Sequence, residues 1–396
     1  MTLLFLLSAL VGLAVTAPQI LPLSKFGPGE SVIVNGVEVG SKLYVASKDE
    51  RSYLRNISVR TGPKWTSFAT LADYYSDGTP KYLNITGDVE IKTLNDFGTT
   101  ERLRGYIYIT TYQQAFDPSF AVYVITGKQT ISRDGMRTIS VILNTHLDAD
   151  FTDVDVPEKT SYVTNIQHSH NTNLYLMWGV PADNWNEVAN NTFFVNPIML
   201  NSTKVFFDHI EPLQVGLDYW YFVSTGPVTM DIENTYVNAH NYTTTSVNTT
   251  GIILNNFLFE SHCINFLLDK TRARTTGTLI STYLTSDVTF QLVGDAESVT
   301  NTYGINSNVN QNLSVYNFQA NSLIVDSNIL PGDFYCQYFG FSSDLFPVTN
   351  DPTISSIGTT SRPIVTTAKV VATTKSSSSR IVLDLLILLL SSFFLL

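Results

Sequence analysis

Four aspartates fall within one short segment, LDADFTDVDVPE, and carboxylates at this density can supply the oxygen ligands that Ca²⁺ prefers. They are Asp148, Asp150, Asp153 and Asp155. The spacing differs from the EF-hand pattern, and the glycine that an EF-hand loop needs is missing. We therefore interpret the segment as a solvated loop between two strands, with a calcium site as the alternative, and we predict no metal and no other cofactor.

His168 and His170 are two residues apart, so on a strand they would face the same side. A zinc site needs a third and a fourth ligand, and His146 is the one remaining histidine that could supply the third. We interpret both as surface or loop histidines.

No nucleophile or metalloprotease motif is present: G-x-S-x-G, H-E-x-x-H and a Cys/His arrangement are all missing. Glycosidases place their two carboxylates by fold rather than by spacing, so Glu187 beside Trp185 is a conceivable acid. We predict that the protein is not an enzyme and has no catalytic residue. The alternatives are a secreted carbohydrate-active hydrolase and a structural coat protein.

The tryptophans offer contacts for a ligand, because aromatic rings in loops can stack on sugars. Trp220 lies in a strand and is predicted to be in the core, whereas Trp185 lies in the polar segment DNWNEV. Trp185 is therefore the predicted contact for an extracellular protein or glycan.

Cys263 and Cys336 are the two cysteines of the chain. In an oxidising compartment such a pair most simply forms one disulfide, which we predict, with free or intermolecular thiols as the alternative.

Seven N-x-Ser/Thr sequons predict heavy N-glycosylation on surface loops. They begin at Asn56, Asn84, Asn190, Asn201, Asn241, Asn248 and Asn312.

The two ends of the chain carry the signals that make such modifications possible. Residues 1–17 form an apolar run that predicts a secretory signal peptide, cleaved after Ala14 or Ala17. Residues 380–396 form the C-terminal tail, and the sixteen residues after Arg380 would make a helix of about 24 Å, short for a membrane span. Small residues before it predict a GPI-attachment signal, with attachment at Ser376, Ser377 or Ser378. A retained tail anchor is the alternative.

Composition narrows the fold and the partners. The formal net charge is −11 and charged residues make up 14% of the chain, so there is no basic footprint for nucleic acid. The chain is rich in Thr, Asn, Val, Tyr and Phe, which populate strands and turns, and it predicts an all-β protein. The Ser/Thr-rich residues 346–379 predict a stalk that cannot bury a core.

Three aromatic segments recur at similar spacing: GYIYITTY from Gly105, DYWYFVSTGP from Asp218 and DFYCQYFGF from Asp333. Comparable strand-like segments and sequons precede each of them, which predicts three β-sandwich modules of about 110 residues. The predicted modules are residues 22–117, 118–228 and 229–345.

This layout resembles the nematode CUB-like secreted and GPI-anchored surface proteins, best in residues 275–295, TTGTLISTYLTSDVTFQLVGD. The resemblance implies tandem jelly-roll β-sandwiches, no intrinsic catalysis and a binding role at the cell surface, in some members for defence against microbes. We predict a GPI-anchored extracellular glycoprotein on the plasma membrane, attached by its lipid, that binds a protein or glycan.

Overall fold

A computed structural model describes residues 17–94, 102–148, 156–183, 191–200, 202–237, 241–244, 248–255, 261–266, 274–284, 286–304, 308–316, 318, 320–327 and 332–342. The chain divides into two compact units, Met1–Ser355 and Ser356–Leu396. The second unit lies outside the described residues, as do the predicted attachment residues Ser376, Ser377 and Ser378 and residues 1–16 of the predicted signal peptide.

The first eight strands form two facing sheets. They are β1 (Gln19–Pro22), β2 (Ser31–Val34), β3 (Lys42–Ala46), β4 (Ile57–Thr61), β5 (Lys64–Ser67), β6 (Tyr82–Asn84), β7 (Val89–Thr93) and β8 (Tyr106–Ile109). The inner sheet has the order β1-β8-β3-β6 and the outer sheet has the order β2-β7-β4-β5. Leu43 and Ile107 of the inner sheet pack against Val59 and Ile91 of the outer sheet, as the period-two alternation of these strands requires.

Three short helices and one 3₁₀ turn accompany these strands. The helices are α1 (Arg51–Leu54), α2 (Phe68–Leu71) and α3 (Tyr112–Phe116), and the 3₁₀ turn is Leu23–Lys25.

Eleven of the next twelve strands form a second sandwich and a small hairpin, and the remaining one, β17 (His209–Ile210), joins the third pair of sheets. The twelve are β9 (Phe120–Ile125), β10 (Gln129–Arg133), β11 (Thr138–Asn144), β12 (Ser161–His168), β13 (Leu174–Trp178), β14 (Thr192–Asn196), β15 (Ile198–Leu200), β16 (Thr203–Val205), β17 (His209–Ile210), β18 (Leu213–Val215), β19 (Tyr219–Ser224) and β20 (Val228–Glu233). The sheet β14-β13-β19-β11-β9 faces the sheet β10-β20-β12-β18, and β15 pairs with β16. Trp220 is fully buried between the two sheets, so its predicted core position is confirmed.

The last nine strands form a third pair of sheets. They are β21 (Asn241–Thr244), β22 (Thr249–Asn255), β23 (Ser261–Phe266), β24 (Arg274–Leu284), β25 (Val288–Gly294), β26 (Ser298–Tyr303), β27 (Asn308–Tyr316), β28 (Ala320–Ser327) and β29 (Gly332–Ser342). The sheet orders are β17-β22-β29-β24-β27 and β21-β23-β28-β25-β26. The prediction of an all-β fold built of sandwiches is confirmed.

The first two sheet pairs pack directly on each other. Tyr44 and Tyr108 on the back of the inner sheet meet Val141 and Tyr221 of the second pair in one buried apolar cluster. Tyr106 lies in the same cluster, and its hydroxyl donates to the backbone oxygens of Asn144 and Asp218 at 3.0 and 2.6 Å. Strand β8 is therefore buried on both faces, which explains why its sequence is aromatic and aliphatic throughout.

The second and third sheet pairs interlock. Strand β17 lies within predicted module 118–228, yet it pairs in parallel with β22 of the third pair. The β15–β16 hairpin and Phe207 pack on Phe339 and Phe341 of β29. The module limits remain a prediction. Strands from the second and third predicted modules nevertheless join in one sheet, across the predicted limit at 228–229.

The predicted disulfide between Cys263 and Cys336 is wrong, because both cysteines are free thiols. Cys336 points into the core between the third pair of sheets and is fully buried. On β23, Ile264 points into that same core, so its neighbour Cys263 points to the opposite face, where its thiol lies 3.6 Å from the side-chain oxygen of Asn265. The two cysteines therefore lie on different sheets. The sulfur of Cys336 faces the core between these sheets, whereas the sulfur of Cys263 faces away from it.

Candidate functional site

The predicted calcium segment is described at one of its four aspartates. Asp148 is exposed, and its carboxylate pairs with Lys48 at 2.6 Å, which gives it a partner without a metal. Asp150, Asp153 and Asp155 lie outside the described residues. In the part of the chain that the structure describes, no group of three or more His, Cys, Asp and Glu side chains could hold a metal ion.

His168 and His170 both pack on the Phe206 ring, with centroids 5.0 and 4.0 Å away, but their ring nitrogens have separate polar partners. The Asn196 amide donates to Nε2 of His168 at 3.0 Å, so Nδ1 carries the proton and donates to the Thr172 hydroxyl at 3.0 Å. This arrangement requires a neutral ring, and burial lowers the pKa of His168 to about 4. His170 is exposed and lies 3.2 Å from Asp208.

The sequons differ in accessibility. Asn84 at the end of β6 and Asn312 in β27 are both exposed, and the Asn312 amide donates to the Tyr303 hydroxyl at 3.0 Å. The others are half-buried (Asn56, Asn248), lie in a strand with the side chain outside the described residues (Asn241), or lie outside those residues altogether (Asn190, Asn201).

Because Asn84 and Asn312 are exposed, each is expected to carry a glycan in the secreted protein. The variants Asn84→Gln and Asn312→Gln should each migrate one glycan step faster on a denaturing gel, and the double variant two steps faster. Peptide N-glycosidase F should bring all of them to one mobility. Asn35→Gln, at an exposed asparagine outside any sequon, is the control and should not shift. Unchanged mobility of either sequon variant would contradict glycosylation at that asparagine.

The four tryptophans occupy different environments. Trp220 is in the core, and Trp178 stacks on Tyr335 with ring centroids 4.5 Å apart and an interplanar angle of 1°. The predicted contact residue Trp185 lies outside the described residues. Trp65 is 38% exposed on the edge strand β5. Among the described tryptophans, Trp65 is the one that presents its ring to solvent.

Strand register places Trp65 at the end of a row that crosses the outer sheet. Ile33 is the cross-strand partner of Glu90, Glu90 is the partner of Arg60, and Arg60 is the partner of Trp65. Cross-strand partners share one face of a sheet, and Lys92 lies on the same face two residues after Glu90. We call these five side chains the Trp65 face.

Polar contacts hold the Trp65 face in one arrangement. The Arg60 guanidinium lies 5.1 Å from the Trp65 ring centroid and also pairs with Glu90. The Ser31 hydroxyl donates to Glu90 at 2.5 Å. This hydrogen bond, followed by the charges of Arg60 and Lys92, holds the pKa of Glu90 below its usual value. The face therefore combines an aromatic ring with charged donors and an ionised acceptor.

Sequence reasoning missed this face because Trp65 stands in the unremarkable segment GPKWTS. A tight turn joins β4 to β5 and makes Arg60 the cross-strand partner of Trp65. The alternation of β4, with Val59 inward and Arg60 outward, is the sequence signal that could have predicted the Trp65 face.

The described residues thus form an all-β chain of sandwiches with exposed sequons at Asn84 and Asn312 and a polar–aromatic sheet face. The chain belongs to the transmembrane glycoprotein family, whose sequence profile matches residues 38–391. Membership in this family makes the protein a membrane- or surface-associated glycoprotein and supports a non-enzymatic role for it. No curated protein matches the chain. None of the helices in the described residues is both long and apolar enough to cross a membrane.

Proposed function

We propose that this protein is a GPI-anchored glycoprotein of the outer cell surface that binds glycans through the Trp65 face without catalysing a reaction. The observation that carries the binding proposal is the exposed Trp65 ring beside the fixed Arg60–Glu90 pair.

The GPI anchor is proposed from the residues at the two ends of the chain, and the family supports the coarser statement that the protein is membrane- or surface-associated. A signal peptide at residues 1–17 and small residues before the apolar tail at 380–396 suit attachment at Ser376, Ser377 or Ser378. The family profile extends to residue 391 and therefore includes most of this tail.

The chemistry of the Trp65 face suits a sugar ring. The apolar CH groups of a pyranose pack on an indole, while its hydroxyls take hydrogen bonds from Arg60 and Lys92 and donate to Glu90. Because Ser31 and Arg60 already hold Glu90, little side-chain entropy is lost on binding. The resemblance to nematode CUB-like surface proteins extends the proposal to microbial glycans as targets in defence.

Glycan binding can be tested with the full-length protein in detergent on an array of neutral and acidic oligosaccharides. We expect Trp65→Ala to weaken binding roughly tenfold or more, as for the loss of a central aromatic contact. Met136→Ala, at a side chain that is 91% exposed outside the face, is the matched control and should bind as the wild type does. Equal binding by Trp65→Ala and wild type, or no glycan retained by the wild type, would contradict the proposal.

A further inference from the structure

A separate exposed apolar surface lies on helix α3 and on the segment between β2 and β3. Tyr112 and Phe116 are 48% and 65% exposed, and their ring centroids are 4.7 Å apart. Gly40 has a φ of +96° and lies under both rings: a Cβ there would stand 2.7 Å from Tyr112 Cδ2 and 3.1 Å from Phe116 Cε2. The adjacent Val39 is 61% exposed. We call Val39, Tyr112 and Phe116 the aromatic patch.

Helix α3 is fixed by buried polar contacts, so the patch is presented by a rigid support. Thr111 and Gln114 form a capping box. The Gln114 amide donates to the Pro181 oxygen at 2.7 Å and its side-chain oxygen accepts from the Tyr108 hydroxyl at 3.0 Å. The Thr111 hydroxyl also donates to Asp183 at 2.5 Å. These contacts tie the helix to both neighbouring sheet pairs.

Three carboxylates surround the patch. Glu38 accepts the backbone N–H of Tyr112 at 3.0 Å, Asp183 is held by Thr111, and Asp117 directly follows the helix and accepts from the backbone and hydroxyl of Ser119. Within the described residues none of these three carboxylates forms an ion pair with a Lys, Arg or His. The patch is thus apolar at its centre and acidic at its rim.

We propose that the aromatic patch docks a segment of a partner protein that carries apolar side chains flanked by lysine or arginine. Exposed, fixed aromatic rings have the character of interface hot spots, and an acidic rim steers and selects a basic partner. A second copy of this chain is disfavoured as the occupant, because two acidic rims on molecules of net charge −11 would repel. The aromatic patch and the Trp65 face share no residue, so the two proposals stand independently.

The probe is a synthetic dodecapeptide of alternating leucine and lysine pairs, with a leucine–glutamate peptide as the charge-reversed reference. Binding to the full chain is measured by fluorescence anisotropy at 150 mM salt. We expect the lysine peptide to bind wild type and to bind Tyr112→Ser/Phe116→Ser roughly tenfold or more weakly. Met136→Ser, at an exposed apolar residue outside the patch, should leave the affinity unchanged.

Thermal melting of each variant separates lost binding from lost folding, and Val39→Ser supplies a second variant outside the helix with a smaller loss in the same direction. Equal affinities of wild type and the double variant would overturn the proposal, as would no binding of the lysine peptide or equal binding of the glutamate peptide. Dimers of the wild type that disappear in the double variant would identify a second copy as the occupant and also overturn it.

Discussion

Replacing Gln337 by leucine is expected to lower the free energy of unfolding by about 3 kcal/mol, because it leaves polar groups unpaired between the second and third sheet pairs. Gln337 is fully buried in β29. Its side-chain oxygen accepts the backbone N–H of Val195 at 2.9 Å, and its amide donates to the Val195 oxygen at 2.8 Å and to the Thr250 hydroxyl at 2.9 Å. One side chain therefore pairs with the backbone of β14 as a neighbouring strand would.

The measurement is equilibrium unfolding in urea, monitored by tryptophan fluorescence. Gln167→Leu, at an exposed position of β12, is the matched control and should change the free energy of unfolding by no more than about 0.5 kcal/mol. If Gln337→Leu were as mild as the control, the hydrogen bonds between β29 and β14 would not hold the two sheet pairs together.

Acid is expected to destabilise the protein through His168. Its pKa is about 4 in the folded protein against an ordinary value of 6.5, so the unfolded chain binds a proton between these values and the folded chain does not. The contribution of His168 is complete above about pH 7 and is lost as the pH falls, by about 2 kcal/mol at pH 5 and about 3 kcal/mol at pH 4. Burial also lowers the pKa of His146, which acts in the same direction.

Melting curves between pH 7.5 and 4.5 test this prediction with His168→Gln, which does not titrate. The variant should be less stable than wild type at pH 7.5, because it loses contacts to Thr172 and Asn196, but it should lose less stability on acidification. Gln167→Leu, at an exposed residue of β12 that does not titrate, is the control and should keep the wild-type pH dependence. A variant at His168 with the full wild-type acid sensitivity would show that another group is responsible.

The fold class could be predicted because strand propensity and turn residues act locally. The aromatic segments around Tyr106, Tyr219 and Phe334 do become strands, and each is an interior strand of a different sheet. The pairing of β17 with β22 of the third sheet pair could not be predicted, because tertiary packing alone brings His209 and Ile210 to their partner strand.

The cysteine prediction failed for a geometric reason. Counting two cysteines in a secreted chain favours one bridge, but the count contains no information on which face of its strand each sulfur takes. Ile264 occupies the inward position on β23, and this parity turns Cys263 away from Cys336.

The Trp65 face also depends on strand pairing. A polar loop context favoured Trp185, whereas Trp65 acquires its setting from Arg60 and Glu90 across two strand pairings. Such a row of side chains is a property of register, which a single sequence specifies only weakly.

Release from living cells by phosphatidylinositol-specific phospholipase C tests most directly whether this is a lipid-anchored glycoprotein of the outer surface. Cells expressing the full chain are labelled with a membrane-impermeant biotin reagent and treated with the enzyme beside a known GPI-linked control. We predict that the biotin-labelled, glycosylated protein is recovered in the medium together with the control. Protein that stays wholly in the membrane while the control is released would contradict the account.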